Sequence, residues 1–334
     1  MTLREQSTTG RSAIGTVRES ELYGGVLYST LGREHLALTA EFLREDAYVG
    51  LSLLYSPFFI SFYRPYFVDV LSSFVTSAKF TRHEFEEYVA PLIASDTEAA
   101  AHNPATRAVE VAHGLAFRNG LGQSLFAPAH NDLTVADIKS YAASAFSKGN
   151  IAVVGTGIDT ATLTGLVEKA FEKAETASTP SAPASKYFGG ETRLEGNGGP
   201  QTVFIGFGTT GAPSSELAAL SAYLSPTPSV KWSKGLSPFS SLPEGTSVQP
   251  VYLPYSDATL FGLLVQGSTP ASVKEAGKTA VATLKAAAQG IKAEELKSAV
   301  AKAKFNAATT VDTREGLINV LGSKVWLLDY FSRS

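Results

Sequence analysis

The sequence predicts an α+β protein of two similar domains, each a mainly antiparallel sheet covered by helices, with the second domain incomplete. Three observations predict it. A unit of strand, helix and acid-led helix occurs twice. In the first half it reads EHLALTAEFL, a helix at 66–78, then TRHEFEEYVAPLIASDTEAA; in the second, ATLFGLLVQG, a helix at 271–288, then KAEELKSAVAKAKFNAATT. Between the halves, residues 176–186, TASTPSAPASK, carry no apolar periodicity and read as a linker. Short strands and amphipathic helices flank that linker on both sides, the pattern of packed layers. The predicted domains are therefore 1–175 and 187–334.

Composition agrees with two packed domains. The 334 residues are 44% hydrophobic, which is enough for sizeable cores. A net charge of −3 gives no reason to expect nucleic acid or an anionic membrane as partner. There is no cysteine, so disulfides and thiolate metal sites are excluded. The opening MTLREQSTTGRSAIG lacks the apolar core of a secretory signal, although three arginines, Arg4, Arg11 and Arg18, fall within the first 18 residues.

In chain order, residues 11–22 form an amphipathic helix ended by Gly24-Gly25. Strands follow at about 26–30 and 35–43. In the second, Leu36, Leu38, Ala40 and Phe42 alternate with Ala37, Thr39 and Glu41, as in a half-buried antiparallel strand. Residues 47–64, AYVGLSLLYSPFFISFYR, are almost wholly apolar. Pro57 and Arg64 interrupt the run, which falls short of the roughly 20 residues of a membrane span. From Leu36 to Glu84 is 48 positions, against 34 from Leu260 to Glu294, so removing 47–64 nearly equalises the repeats. The segment reads as an insertion, with a retained intron as its expected source. Thr81 caps the acid-led helix as a solvated start, with Glu84, Glu86 and Glu87 near its positive end.

Arg107 to Glu175 then supplies a helix, a glycine-rich loop and two capped helices. The first capped helix opens with Thr134 and Asp137 and presents Ile138, Tyr141, Ala145 and Phe146. IAVVG at 151–155 reads as a buried strand. Asp159 caps the next helix, whose Leu163, Leu166, Val167, Ala170 and Phe171 share a stripe. Past the linker, YFGGETR and 202–207 read as strands about a glycine turn. A helix at 214–224 presents Leu217, Leu220 and Leu224, and 225–250 reads as a long loop.

The stretch AHGLAFRNGLGQSLFAP, the Thr134 helix and VVGTGIDTATLTGLVEKAF follow one another as in the mitochondrial processing peptidase family. Those are the pitrilysin-like metallopeptidases and their inactive relatives. Ala116, Phe117, Leu121, Gly122, Pro128, Tyr141, Asn150, Gly155, Leu163 and Phe171 carry the resemblance. RESELYGG at 18–25, GREHLALTAEFLRED at 32–46 and YFGGETRLEGNGG at 187–199 resemble the fungal-type inactive branch more narrowly. The match covers nearly the whole chain apart from 47–64 and the ending WLLDYFSRS. Against the family pattern, Met1 falls in the interior and the second domain lacks a helix pair and a sheet strand.

Active members of that family bind zinc through HxxEH on a helix and a further glutamate downstream. The five histidines here, His35, His83, His102, His113 and His130, include no pair four apart and no HxxEH. The resemblance places the distal glutamate near Ile93 to Asp96, where only Asp96 and Glu98 offer carboxylates and Pro91 disturbs the turn. RHEFEE at 82–87 lacks a second histidine. GLGQS and GNGG are turns rather than phosphate loops, and GTGID at 155–159 lacks the third glycine of a dinucleotide site. No GxSxG is present. The expectation is no catalytic, metal or cofactor site.

The resemblance implies a structural role in the respiratory ubiquinol–cytochrome c reductase, complex III. The implied partners are a core protein 1 homologue and other complex III subunits, in a dimeric complex peripheral to the inner membrane on the matrix side. The alternative reading is a subunit of a processing peptidase or a related zinc peptidase. A soluble binding module outside any complex is a third.

Overall fold

A computed structural model describes residues 6–43, 63–128, 132–172, 174, 183–196, 199–229, 237–240, 242–313, 316–318 and 320–322. In the first half the elements run α1 (Ala13–Leu22), β1 (Val26–Leu31), β2 (Leu36–Glu41), α2 (Tyr63–Thr76), α3 (Arg82–Glu84), α4 (Ala90–His102), α5 (Pro104–Phe117), α6 (Val135–Ala145) and α7 (Thr160–Ala170). The second half supplies β3 (Gln201–Thr210), α8 (Ser215–Leu224), β4 (Thr246–Pro254), β5 (Ala258–Gly267), α9 (Pro270–Gln289) and α10 (Ala293–Thr310). The repeat seen in the sequence is present as element order, a hairpin followed by two helices: β1–β2–α2–α4 and β4–β5–α9–α10.

The chain forms two compact units. One holds Met1–Ser95 and Ala127–Ser181, the other Asp96–Phe126 and Ala182–Ser334. The predicted linker overlaps the end of the first unit, but residues 96–126 belong with the second. The physical reason is α5, whose Ala116 and Phe117 are buried together with Ala258 and Leu260 of β5.

In the first unit, Ser12 starts α1 by accepting a hydrogen bond from the Gly15 N–H, and Gly24 at φ +66° ends it. Beside it, Gly25 has no choice of side chain: a methyl there would collide with the Phe67 ring. β1 and β2 pair antiparallel from Val26↔Glu41 to Leu31↔Leu36. Leu38 and Ala40 of β2, with Phe42 beyond it, turn towards buried Tyr66, Phe67, Val70 and Phe74 of α2. Phe42 stacks on Phe67 at 4.6 Å. Thr39, on the opposite face of β2, is buried as well. The predicted insertion lies outside the described residues except for positions 63 and 64, which open α2.

Between α3 and α4 a π turn spans Phe85–Val89, where Ala90 donates to the Phe85 carbonyl. Pro91 explains it, because proline has no N–H to donate and its ring crowds the carbonyl four residues back.

Both predicted caps of α6 and α7 are present. Thr134 and Asp137 form a reciprocal capping box, and the Asp159 carboxylate accepts from the N–H groups of Ala161 and Thr162. The α7 stripe of Leu163, Leu166, Val167, Ala170 and Phe171 is half-buried as expected, and α7 packs against α2. On α6 the face differs. Ala142 is buried with Ile138 and Ala145 beside it, while Tyr141 is 72% exposed. Positions 138, 142 and 145 follow the helical 3.6-residue period, and the large ring is left to solvent. IAVVG is not a strand: its backbone joins no sheet, and Val153 is 44% exposed. An apolar run becomes a strand only when a neighbouring strand takes up its backbone groups, and none does so among the described residues.

The second unit has three layers. Its sheet has the order β3-β5-β4, antiparallel throughout, so β5 lies between two partners. Alternation along β5 feeds two cores. Phe261, Leu263 and Val265 pack with Val273, Ala276 and Ala280 of α9 and with Leu224 of α8. Ala258 and Leu260 face Ala116, Phe117 and Leu121. Gly206 lies opposite Gly262, where the Phe204 ring fills the space a side chain would need.

Residues 187–193 are not a strand. Phe188 donates to the Ala116 carbonyl at the end of α5, and the Arg118 guanidinium lies 4.3 Å from the Phe188 ring centroid. The predicted loop 225–250 ends early because β4 begins at Thr246. Pro250 hides that strand in the sequence. It is tolerated because β4 is an edge strand, whose outward backbone groups need no ladder partner.

Candidate functional site

The residues with chemical potential are dispersed. His35 lies in the β1–β2 turn, where its carbonyl accepts from Gly32, and its side chain is exposed. His83 is exposed on α3. His102 closes α4, with Nδ1 2.8 Å from the Glu98 carbonyl. His130 lies outside the described residues. Asp96 and Glu98 are exposed on α4. Among the described residues, no three His, Cys, Asp or Glu side chains come together in a way that could hold a metal ion.

Among the described residues, His113 is the one histidine taken into a core. It is 1% exposed on α5, with Nδ1 2.7 Å from the Val109 carbonyl and Nε2 2.7 Å from the Tyr255 hydroxyl. The carbonyl can only accept, so Nδ1 carries the proton and Nε2 accepts from tyrosine. The Nδ1 bond stays within α5, and the Nε2 bond joins α5 to the β4–β5 turn. Nothing local in the sequence signals this link, since the two residues are 142 positions apart.

RHEFEE is a helix start, but it is less solvated than the sequence suggests. Arg82 pairs with Glu86 at 2.7 Å on the surface. Glu84 is 8% exposed and accepts from the Thr81 hydroxyl at 2.6 Å and from the Ser7 N–H at 3.2 Å. Burial alone would raise its carboxyl. The hydrogen bonds from Ser7 and Thr81, with the adjacent His83, outweigh that and hold it below the ordinary carboxylate value. The expected Thr81 cap is not formed: its side chain makes no hydrogen bond to the helix backbone, because its hydroxyl donates to the Glu84 carboxylate instead.

GLGQS and GTGID turn the chain, while positions 197–198 of GNGG lie outside the described residues. Gly120 and Gly157 take φ of +65° and +73°, conformations that favour glycine. At GTGID the carboxylate of Asp159 already occupies the N-terminus of α7, where a phosphate would have to bind. The arrangement as a whole is two layered units with buried polar links that join elements.

That architecture has relatives. Residues 3–129 match the model of insulinase, peptidase family M16, and residues 132–303 match the peptidase M16 inactive domain. The chain belongs to this family, and the predicted α+β architecture is borne out with it. Among its relatives is the mitochondrial cytochrome b-c1 complex subunit 2 of Cryptococcus neoformans. It is 38% identical over 326 residues, 95% of this chain and 71% of the relative. The proteins of the same name from Yarrowia lipolytica and Neurospora crassa are 33% and 35% identical. They cover 96% and 90% of this chain, and 73% and 64% of their own lengths are matched. A protease from Helicobacter pylori superposes with a TM-score of 0.73 over 98% of this chain and 77% of its own, at 13% identity. At that identity it shows the fold alone.

Proposed function

We propose that this chain is a non-catalytic structural core subunit of the mitochondrial ubiquinol–cytochrome c reductase, complex III. The observation that carries the reading is 38% identity along 95% of the chain to a cytochrome b-c1 complex subunit 2. The match of residues 132–303 to a domain described as inactive supports it. In this reading the chain holds the redox subunits together and carries no haem, cluster or quinone itself. Its partners are a core protein 1 homologue and the other subunits of the dimeric complex. It lies on the matrix side, peripheral to the inner membrane; among the described residues no helix is long and apolar enough to cross one.

His35, His83, His102 and His113 have no catalytic task here, and neither do Asp96 and Glu98. His113 serves as a buried tie. Depletion of the chain in cells that carry it tests the proposal. Antimycin-sensitive ubiquinol–cytochrome c reductase activity is expected to fall with the amount of assembled complex, while presequence cleavage in isolated mitochondria is unchanged. Loss of presequence cleavage with an intact complex III would overturn the reading in favour of a processing-peptidase subunit.

A further inference from the structure

Independent of the core-subunit reading, the loop that leaves α5 carries a reactive pair, Asn119–Gly120. The Asn119 side chain makes no hydrogen bond to the short turn that it opens, Gly120–Gly122. Gly120 lies at φ +65°. Among the described residues its N–H meets no acceptor, and no atom lies within 4 Å of the place a side chain would take. With no side chain beside it and no bond to hold it, such a backbone nitrogen can reach the carboxamide of the residue before it. Asn119 has an extended ψ of 160°, which must turn to bring the two groups together. Its carbonyl is held against that turn by the Gly122 N–H at 3.5 Å, beyond the usual hydrogen-bond range.

The other described asparagines lack these features. Asn103 caps α5 with its side chain and precedes Pro104, whose nitrogen carries no hydrogen. Asn150 precedes Ile151, whose branched side chain crowds the nitrogen. Asn306 lies inside α10, where helical hydrogen bonds fix the backbone. The pair at 197–198 lies outside the described residues.

We infer that Asn119–Gly120 is a self-modification site whose conversion loosens the core between α5 and β5. The Gly120 nitrogen attacks Cγ of Asn119. The N–Cγ bond forms, the Cγ–Nδ2 bond breaks, and ammonia leaves with the proton of the Gly120 N–H. The cyclic imide then takes up one water. Opening at Cγ gives aspartate. Opening at the backbone carbonyl gives isoaspartate, whose main chain runs through Cβ and Cγ and is one methylene longer. The reaction draws on these two residues and water alone.

The loop has no slack for a longer path. Leu121 is buried with Ala116, Phe117, Ala258 and Leu260. Gly122 is wedged so closely that a methyl there would stand 3.1 Å from the His113 carbonyl oxygen and the Phe117 carbonyl carbon. A methylene added between Phe117 and Leu121 therefore displaces Leu121, and a close-packed core loses contacts when it yields.

The test follows the full 334-residue chain as it stands at neutral pH. Samples are digested with pepsin in acid, which halts the reaction, and mass spectrometry locates the converted residues. Conversion at Asn119 is expected to run several-fold faster than at Asn150 and Asn306, with isoaspartate among the products. The denaturation midpoint of the aged chain is expected to fall as the converted fraction grows. Asn119→Ser, which keeps a small polar side chain without a carboxamide, should age without that fall. Equal conversion at all three asparagines would overturn the inference. So would an unchanged midpoint in the converted chain, or an equal fall in aged Asn119→Ser.

Discussion

β2 and β5 occupy equivalent places in the repeat, yet they carry different burdens. Among the described residues, six-residue β2 has one neighbour and is only partly covered along most of its length. Ten-residue β5 has a partner on each side, and every residue but Gln266 is buried. The difference lies in what surrounds each strand. α5 and α9 cover the two faces of β5, so its sequence ATLFGLLV can be apolar without alternation. β2 shows LALTAEF its α2 core on one side only, with polar residues between. The teaching case is IAVVG, as apolar as β5 but with no neighbouring strand among the described residues and no strand conformation. Pairing decides the outcome as much as composition does.

Substitutions can break or sharpen that comparison. The largest loss belongs to Phe261→Ala, which empties the centre of the α9-facing core; chemical denaturation is expected to show about 4 kcal/mol. Val153→Ala, in the unpaired run, should change stability by less than about 0.5 kcal/mol. If Val153→Ala costs as much as Phe261→Ala, the distinction between the two runs fails. Gly262→Ala drives a methyl into the Phe204 ring and should cost about 2 kcal/mol.

The first unit has its own reporter in Glu84. Glu84→Gln is expected to cost about 1–2 kcal/mol at neutral pH. The folded carboxyl titrates below its ordinary value of 4.5, so its contribution is complete above that value and is lost as pH falls through the folded value. The gap between wild type and Glu84→Gln should therefore close in acid, and a gap that widens there would contradict the assignment. A smaller loss than that of Glu84→Gln belongs to Asn103→Ala. It removes the cap that accepts from Ala105 and Thr106 and should cost about 1 kcal/mol.

Much of this was legible. Thr134 and Asp159 precede apolar-periodic runs, and each accepts a backbone hydrogen bond at a helix start, whereas Thr81, read the same way, does not. The α7 stripe and the repeat were also plain, because both are local patterns. What escaped depends on distant residues. β4 was masked by Pro250, whose meaning turns on the strand being an edge. Residues 187–193 read as a strand from composition, but Phe188 is bound to the end of α5. The packing of α5 on the sheet of the second unit, and the His113–Tyr255 tie within it, join positions that no window of sequence brings together. Glu84 was visible as an acid near the positive end of a helix, whereas its bond to Ser7, 77 residues away, was not.

The central claim, a structural subunit of a respiratory complex, is tested most directly by native electrophoresis of solubilised mitochondria from cells that carry this chain. Mass spectrometry of the bands would follow peptides such as YFGGETR from residues 187–193. The account predicts these peptides in the high-mass band, in constant ratio to cytochrome b and cytochrome c1. Their confinement to a small soluble species that cleaves presequences would contradict it.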